Sequence, residues 1–210
     1  MPKFKPRPQL QPKPVLYIYC EGKNTEPNYL NGYIGKKYPG ALIKVKKSTY
    51  TSPVEIVEEV ASILDCGRPE DEGWAVYDRE AESAIPDSVH AEARNKAGIR
   101  INIAISNICF EVWLLIHFQT SCRAHCSFES LSKDRDFKKH LPNYDKGVCR
   151  EYSDKEIAAA RKNAERLNEQ TKAGADRSRS RPHQLNPYTD VHKLLDAIDE
   201  FGKKYCSRRP

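Results

Sequence analysis

The sequence predicts an α/β protein with a parallel sheet of about four strands, flanked by helices and followed by further helical elements. Three observations lead to this prediction. Strand-like and helical segments alternate about four times between residues 15 and 120. The first strand segment is apolar on both faces, as in buried parallel strands. Beyond residue 120 the pattern changes to polar helices. We therefore expect a right-handed α/β core over 15–120 and a helical part over 121–210 that packs on it.

The core elements are predicted from residue type and spacing. Strands are expected over Val15–Cys20, Leu42–Val45, Trp74–Tyr77 and Ile99–Ile105. Helices are expected over Glu26–Lys37, after the Ser52-Pro53 start signal, over Ser88–Ala97 and over the apolar run Cys109–Phe118.

The C-terminal part is predicted to hold two well-marked helices. One runs from Ser153 to Gln170, and Ser153 with Glu156 forms a capping-box pattern at its start. The other runs from Thr189 to Phe201 with one apolar stripe. A basic loop over 174–183 lies between them.

Composition limits the class of protein. The 210 residues carry a net charge of +6, which permits a polyanionic partner without requiring one. No apolar run approaches the ~18 residues that span a bilayer. Residues 1–14 are basic and rich in proline, so we expect a flexible arm and not a secretory signal. The expected location is the cytoplasm, where the seven cysteines would stay reduced.

Acidic residues follow three of the predicted strands. Glu21 comes directly after the first, Asp78 and Glu80 after the third, and Glu111 a few residues after the fourth. The carboxyl ends of parallel strands share one edge, where ligands bind. Crowded carboxylates resist ionisation unless a cation neutralises them, and Mg²⁺ takes oxygen ligands. Acids at single strand ends also serve as caps and turn residues, but three together predict a Mg²⁺ or Mn²⁺ site.

Four segments carry a resemblance to a known family. They are Tyr19-Cys20-Glu21-Gly22-Lys23-Asn24-Thr25-Glu26-Pro27, Tyr77-Asp78-Arg79-Glu80, the run from Ile105 to Phe118, and the run from Asn186 to Leu194. In this order they resemble the motifs of the RloB-like proteins. The resemblance implies a Toprim-like fold, in which a glutamate after the first strand and an Asp-x-Asp motif bind Mg²⁺ for phosphodiester chemistry. Glu21 and Asp78 match that pattern, whereas Glu80 stands in place of an aspartate.

The resemblance also implies a biological setting. RloB-like proteins resemble accessory components of bacterial restriction and anti-phage loci, and related two-gene systems pair a Toprim protein with an ATPase. The leading hypothesis is a Mg²⁺-dependent nuclease, with Glu21, Asp78 and Glu80 as metal ligands and Glu111 as a further catalytic residue. The alternatives are a non-catalytic regulatory subunit of an ATPase complex and, third, a nucleotidyl transferase. A homodimer and the choice between RNA, including tRNA, and DNA stay open.

Other residues are candidates for substrate binding, each with a structural alternative. Lys23 suits a phosphate, and Glu26 either assists the site or complements a helix start. Ser106 and Asn107 bind substrate or fix a turn, and His192 acts at the site or packs in the core. Arg177, Arg179 and Arg181 form a basic segment suited to RNA or DNA, or a solvated loop. His117, Cys122, His125 and Cys126 have a zinc-like spacing, but no second tight pair follows, and we expect no zinc.

Overall fold

The protein is described here by a computed structural model that covers residues 12–148 and 150–206. Most of the arm predicted over residues 1–14 lies outside these described residues. Within the described ranges, no helix combines the length and the apolar character needed to cross a membrane.

Five strands and eight α-helices make up the described chain. The strands are β1 (Leu16–Cys20), β2 (Ile43–Lys47), β3 (Glu72–Asp78), β4 (Ile101–Asn107) and β5 (Tyr188–Thr189). The helices are α1 (Thr25–Lys37), α2 (Pro53–Asp65), α3 (Asp87–Ala97), α4 (Glu111–Leu115), α5 (Phe128–Lys133), α6 (Arg135–His140), α7 (Asp154–Gly174) and α8 (Val191–Tyr205).

The strands form one sheet in the order β2-β1-β3-β4-β5. The four strands predicted from the sequence are present and pair in parallel, which confirms the α/β fold class. The fifth strand is an addition. It pairs antiparallel with β4 through Tyr188 and Thr189, so the last helix begins at Val191 and not at Thr189.

Helices cover both faces of the sheet, and each face has its own apolar core. On one face, Leu16 and Ile18 of β1 pack in a cluster with α1, α4 and α8. On the other face, Tyr19 of β1 and Ala75 of β3 pack with α2 and α3. This alternation follows from the two-residue period of a strand, which points successive side chains to opposite faces.

Local signals in the sequence set most helix boundaries. Ser153 and Glu156 form the expected capping box at the start of α7. Gly98 ends α3 with a φ of 57°, a backbone conformation that glycine adopts without steric cost. The helix predicted over Cys109–Phe118 is shorter than expected. Only Glu111–Leu115 is α-helical, and tight turns continue the buried segment.

Strand β2 lies at one end of the sheet. Its Ile43 and Val45 are half-buried and pack against the core cluster. Lys44, Lys46 and Lys47 are exposed. The opposite end of the sheet is the two-residue β5.

Candidate functional site

The topology of the sheet places β1 and β3 side by side at the point where the strand order reverses. The chain passes from β1 outward to β2 and then returns to β3 on the other side of β1. Ligands of open α/β sheets bind outside the carboxyl ends of the strands at such a point. Glu21 follows β1, Asp78 ends β3, and the Asp78 N–H donates to Glu21 Oε2 at 3.1 Å.

A cavity of about 230 Å³ opens at this edge, and we call it the acidic cavity. The carboxylates that line it in the described chain are Glu21, Glu26, Asp78, Glu80 and Glu111. Lys23 and Lys146 also line it. The acids predicted at three strand ends are therefore brought together, with Glu26 added from the first turn of α1.

Glu26 lies directly over the backbone of Gly22. A Cβ at position 22 would come within 1.9 Å of Glu26 Oε2, so a larger residue would displace that carboxylate. Glu26 is only 5% exposed, and backbone N–H groups of Gly22 and of Glu26 itself stabilise its charged form. Gly22 thus permits a close approach between the strand end and the helix start.

Glu111 is buried at the base of the cavity. The Tyr144 hydroxyl donates to Glu111 Oε1 at 2.8 Å, and Lys146 Nζ lies 3.5 Å from the same oxygen. Glu111 Oε2 has no hydrogen-bond partner among the described residues. A buried carboxylate oxygen without a donor is costly, and this atom is suited to a further ligand.

Lys146 reaches the cavity from the loop after α6, and Tyr144 of the same loop contacts Glu111. The Thr25 hydroxyl lies 3.2 Å from Tyr144 Oη and donates to the Lys146 carbonyl at 3.3 Å. The Lys146 ammonium also lies 4.1 Å from the centre of the Phe128 ring. Neither residue was predicted from the sequence, because a tyrosine and a lysine in an irregular loop carry no periodic signal.

Burial, and after it mutual repulsion, raises the pKa values of Glu21, Glu26 and Asp78. Burial raises the pKa of Glu21 to about 7, and the nearby charges of Glu80 and Glu26 add to the rise. The pKa of Asp78 is raised by burial and then by Glu26, Glu111, Glu21 and Glu80. Glu26 also has a raised pKa, chiefly from burial. Burial and the neighbouring carboxylates thus disfavour the ionised forms of these three acids.

Arg79 stands between the two acids of the Asp78-Arg79-Glu80 segment and points away from the cavity. Its side chain is 4% exposed. The guanidinium donates to the carbonyls of Glu80, Ile85 and His183 and to Asp87 Oδ1, at 2.6 to 3.2 Å. These bonds fix the loop next to Glu80, whose φ of 55° is uncommon for a residue other than glycine.

The remaining predicted residues lie outside the acidic cavity. Ser106 Oγ lies 3.0 Å from Thr189 Oγ1 between β4 and β5, and Asn107 Nδ2 donates to the His183 carbonyl. His192 is buried on α8, where burial lowers its pKa. The exposed residues Arg177, Arg179 and Arg181 precede a short 3-10 helix at Pro182–Gln184.

The histidines considered for zinc have other neighbours. His117 is buried, with its Nδ1 2.9 Å from the Trp113 carbonyl and its Nε2 3.0 Å from Tyr29 Oη. His125 lies between Ser130 and Asp134. Over residues 12–148 and 150–206, no group of three or more His, Cys, Asp or Glu side chains is already arranged to hold a metal ion.

The fold and the cavity define an α/β protein with a cluster of carboxylates at the carboxyl edge of a mainly parallel sheet. Comparison with protein families identifies it further. The family model described as RloB-like protein matches residues 16–198, and the chain belongs to the RloB-like family. This confirms the resemblance seen in the four sequence motifs. No curated protein and no solved structure matches the chain.

Proposed function

We propose that the acidic cavity binds Mg²⁺ or Mn²⁺ and hydrolyses phosphodiester bonds of RNA or DNA. The observation that carries the proposal is the convergence of five carboxylates on one cavity, where burial and then four neighbouring carboxylates raise the pKa of Asp78. Hard divalent cations prefer carboxylate oxygens and keep waters for phosphate substrates. A bound cation would relieve the repulsion that otherwise favours protonation.

The donor set fits such an ion in its chemistry. All five acids supply oxygen, and Glu111 Oε2 is a buried oxygen without a donor among the described residues. Glu21, Asp78 and Glu80 would hold the ion, with Glu26 and Glu111 beside them. When bound, the ion would orient a water and stabilise the negative charge of the reacting phosphate.

Two lysines would act on the substrate. Lys146 is held beside Glu111 and lies partly exposed in the wall of the cavity. Lys23 is exposed in the same wall. Both place a positive charge where phosphate oxygens would enter, which favours binding and stabilises charge in the transition state.

The biological role proposed with this activity is that of an effector in a bacterial anti-phage or restriction-associated system, acting in the cytoplasm and encoded alongside an ATPase. Membership of the RloB-like family supports this proposal. The alternative is a non-catalytic subunit that regulates the ATPase.

The test compares wild type with Glu21→Gln in cleavage of tRNA and plasmid DNA, with and without Mg²⁺ or Mn²⁺. Gln is nearly isosteric but neutral, and so a poorer ligand for a hard cation. We expect wild type to cleave one substrate only with the ion, and Glu21→Gln to be folded and inactive. Asp78→Asn is the second variant. Glu169→Gln, an exposed acid on α7, is the control and should keep full activity.

Melting temperatures complete the experiment. Mg²⁺ should raise the melting temperature of wild type, because an ion that binds only the folded state stabilises it by about 2.7 kcal/mol at one hundred times its dissociation constant. Glu21→Gln should lose this effect. If Mg²⁺ neither stabilises wild type nor supports cleavage, the nuclease proposal is wrong and the regulatory subunit is favoured.

A further inference from the structure

A second cavity of about 190 Å³ lies next to the acidic cavity, and Glu80 lines both. It opens on the β4 and β5 side of the carboxyl edge, where Asn107, His183 and Arg179 form part of its wall. We call it the Arg179 cavity. A chain bound at Glu21 and Asp78 that continues past Glu80 would enter it.

The wall of this cavity is fixed to the acidic loop by Arg79. The same buried guanidinium that bonds the Glu80 carbonyl also bonds the His183 carbonyl at 2.7 Å. Asn107 Nδ2 donates to that carbonyl too, and the His183 ring stacks on His90 at 5.5 Å. His183, four residues after Arg179, is therefore held against the acidic loop, which is the kind of support that a binding site needs.

The Arg179 guanidinium is available for a ligand. Its guanidinium lies 4.0 Å from Glu82 Oε2, and both side chains are more than half exposed, at 54% and 66%. Exposed ion pairs of this kind contribute little, so an incoming anion would exchange with Glu82 at low cost. A guanidinium can donate two parallel hydrogen bonds to two oxygens of one phosphate.

We propose that the Arg179 cavity is a subsite for the phosphate that neighbours the one at the acidic site, with Arg179 as its ligand and Arg79 as the positioning residue. The inference rests on the proposed function for the identity of the substrate as a nucleic-acid strand. The ligand chemistry is a phosphodiester linkage, which RNA and DNA share.

The test measures binding separately from cleavage. Short single-stranded RNA and DNA oligonucleotides are titrated against wild-type protein in Ca²⁺, used in place of Mg²⁺, by fluorescence anisotropy. Adding Arg179→Ala should weaken binding about tenfold and lower the salt slope by about 0.7, as expected for one phosphate contact to a single strand. Arg177→Ala, two residues away but outside the cavity wall, should have a smaller effect. Arg166→Ala, exposed on α7, should have none.

A set of DNA oligonucleotides, each with one uncharged methylphosphonate linkage, locates the contact. One methylphosphonate linkage should weaken binding to the protein that retains Arg179. The same linkage should not weaken binding to Arg179→Ala any further, because the effects of two groups in contact are not additive. In the same format, Arg79→Lys should reduce the coupling to that linkage and raise KM for cleavage. It should also lower the melting temperature, because a lysine cannot make the hydrogen bonds of the buried guanidinium. A structural role alone would lower the melting temperature without moving that linkage's coupling.

The outcomes separate the two proposals. Equal effects of Arg177→Ala and Arg179→Ala, with no coupled linkage, would overturn the subsite and leave a diffuse basic segment. If the wild type cleaves and Arg179→Ala leaves KM unchanged, the subsite proposal is wrong and the nuclease proposal stands. A coupled linkage without any cleavage by wild type would support the subsite and reject the nuclease. If no oligonucleotide binds, both proposals fail.

Discussion

Asp78 lies at the centre of the charges of the acidic cavity, because its pKa is raised first by burial and then by Glu26, Glu111, Glu21 and Glu80. Each of these acids comes from a different turn or helix start, and the folding of the chain brings them together. Such crowding is unfavourable to stability when all are ionised. The residues that create the candidate site are thus expected to reduce the stability of the metal-free protein.

Glu21→Gln should therefore stabilise the metal-free protein in a pH-dependent way. The pKa of Glu21 is about 7 in the folded protein against 4.5 for an ordinary glutamate. Between these values the folded state binds more protons, so wild-type stability falls as pH rises through this window. The variant should gain about 1–2 kcal/mol above pH 7 and nothing below pH 4.5. Urea unfolding in EDTA at pH 4.5, 6 and 8 measures the difference in free energy of unfolding between the variant and the wild type. A gain that is equal at all three pH values would contradict the assignment.

Gly22→Ala should disturb the acidic cavity without unfolding the protein. The added Cβ would meet the buried Glu26 carboxylate, which must move. We expect the free energy of unfolding to fall by about 1–2 kcal/mol, and Mg²⁺ to stabilise the variant less than the wild type. Gly32→Ala in α1 is the control, since nothing lies within 4 Å of its added Cβ, and it should hold or raise stability. Thermal melting with and without Mg²⁺ decides, and identical behaviour of the two variants would show that Gly22 has no special role.

At the residue scale the sequence predicted the acids but not the full cavity. Glu21, Asp78 and Glu111 were found because they follow strands, and strand ends of a parallel sheet share an edge. Lys146 was not predicted, because its position depends on a hydrogen bond from Thr25 to the Lys146 carbonyl, and the two residues are 121 positions apart in the chain. Contacts of this kind arise from tertiary packing and have no local pattern.

Among the helices, α1, α7 and α8 are joined by one buried aspartate. Asp199 of α8 accepts from the Tyr33 hydroxyl at 2.5 Å and the Tyr38 hydroxyl at 3.0 Å, and pairs with Lys37 and Arg161. Although burial acts to raise the pKa of Asp199, the Tyr33 hydrogen bond and the charge of Arg161 lower it. The carboxylate therefore stabilises the three-helix contact in its charged form.

Asp199→Ala should destabilise the protein by about 3 kcal/mol, since it leaves buried partners without their counterion. The contribution of Asp199 is present above the ordinary aspartate pKa of 3.8 and is lost as pH falls through the lower folded value. Asp196→Ala removes the exposed partner of the same Arg161 and should cost under about 1 kcal/mol. Urea unfolding at pH 7 gives both numbers. Equal losses would mean that burial of Asp199 contributes nothing.

Element boundaries were predictable where a local signal exists. The capping box fixes the start of α7, and Gly98 ends α3. The segment from Cys109 to Phe118 is apolar apart from Glu111 and His117, so it has little periodicity from which to infer how far the helix extends. Strand β5 is two residues long, and its pairing with β4 is a long-range contact that propensity does not reveal.

For the molecule as a whole, the C-terminal part completes the core of the N-terminal part. Leu194, Leu195, Ile198 and Phe201 of α8 are at most 2% exposed and belong to the same cluster as Leu16 of β1. Burial of each such side chain contributes about 1.5–3 kcal/mol. Together they match the entire stability of an ordinary domain, about 5–15 kcal/mol.

A chain of residues 12–120 alone should consequently fail to fold cooperatively. It would lack β5 and α8 and would expose the apolar face that α8 covers. We expect no sharp thermal transition by circular dichroism and poor dispersion in an amide NMR spectrum, whereas residues 12–206 should give both. A cooperative transition of the shorter chain would show that the first 120 residues form an independent domain.

The two lateral edges of the sheet differ from its open carboxyl edge in what they offer another molecule. An exposed strand can recruit a second chain by backbone pairing, and natural proteins discourage this with lysines or with very short edge strands. Here β2 carries the exposed Lys44, Lys46 and Lys47, and the opposite edge is the two-residue β5. Both edges thus resist strand addition and aggregation. Association between copies by backbone pairing at either lateral edge is therefore disfavoured.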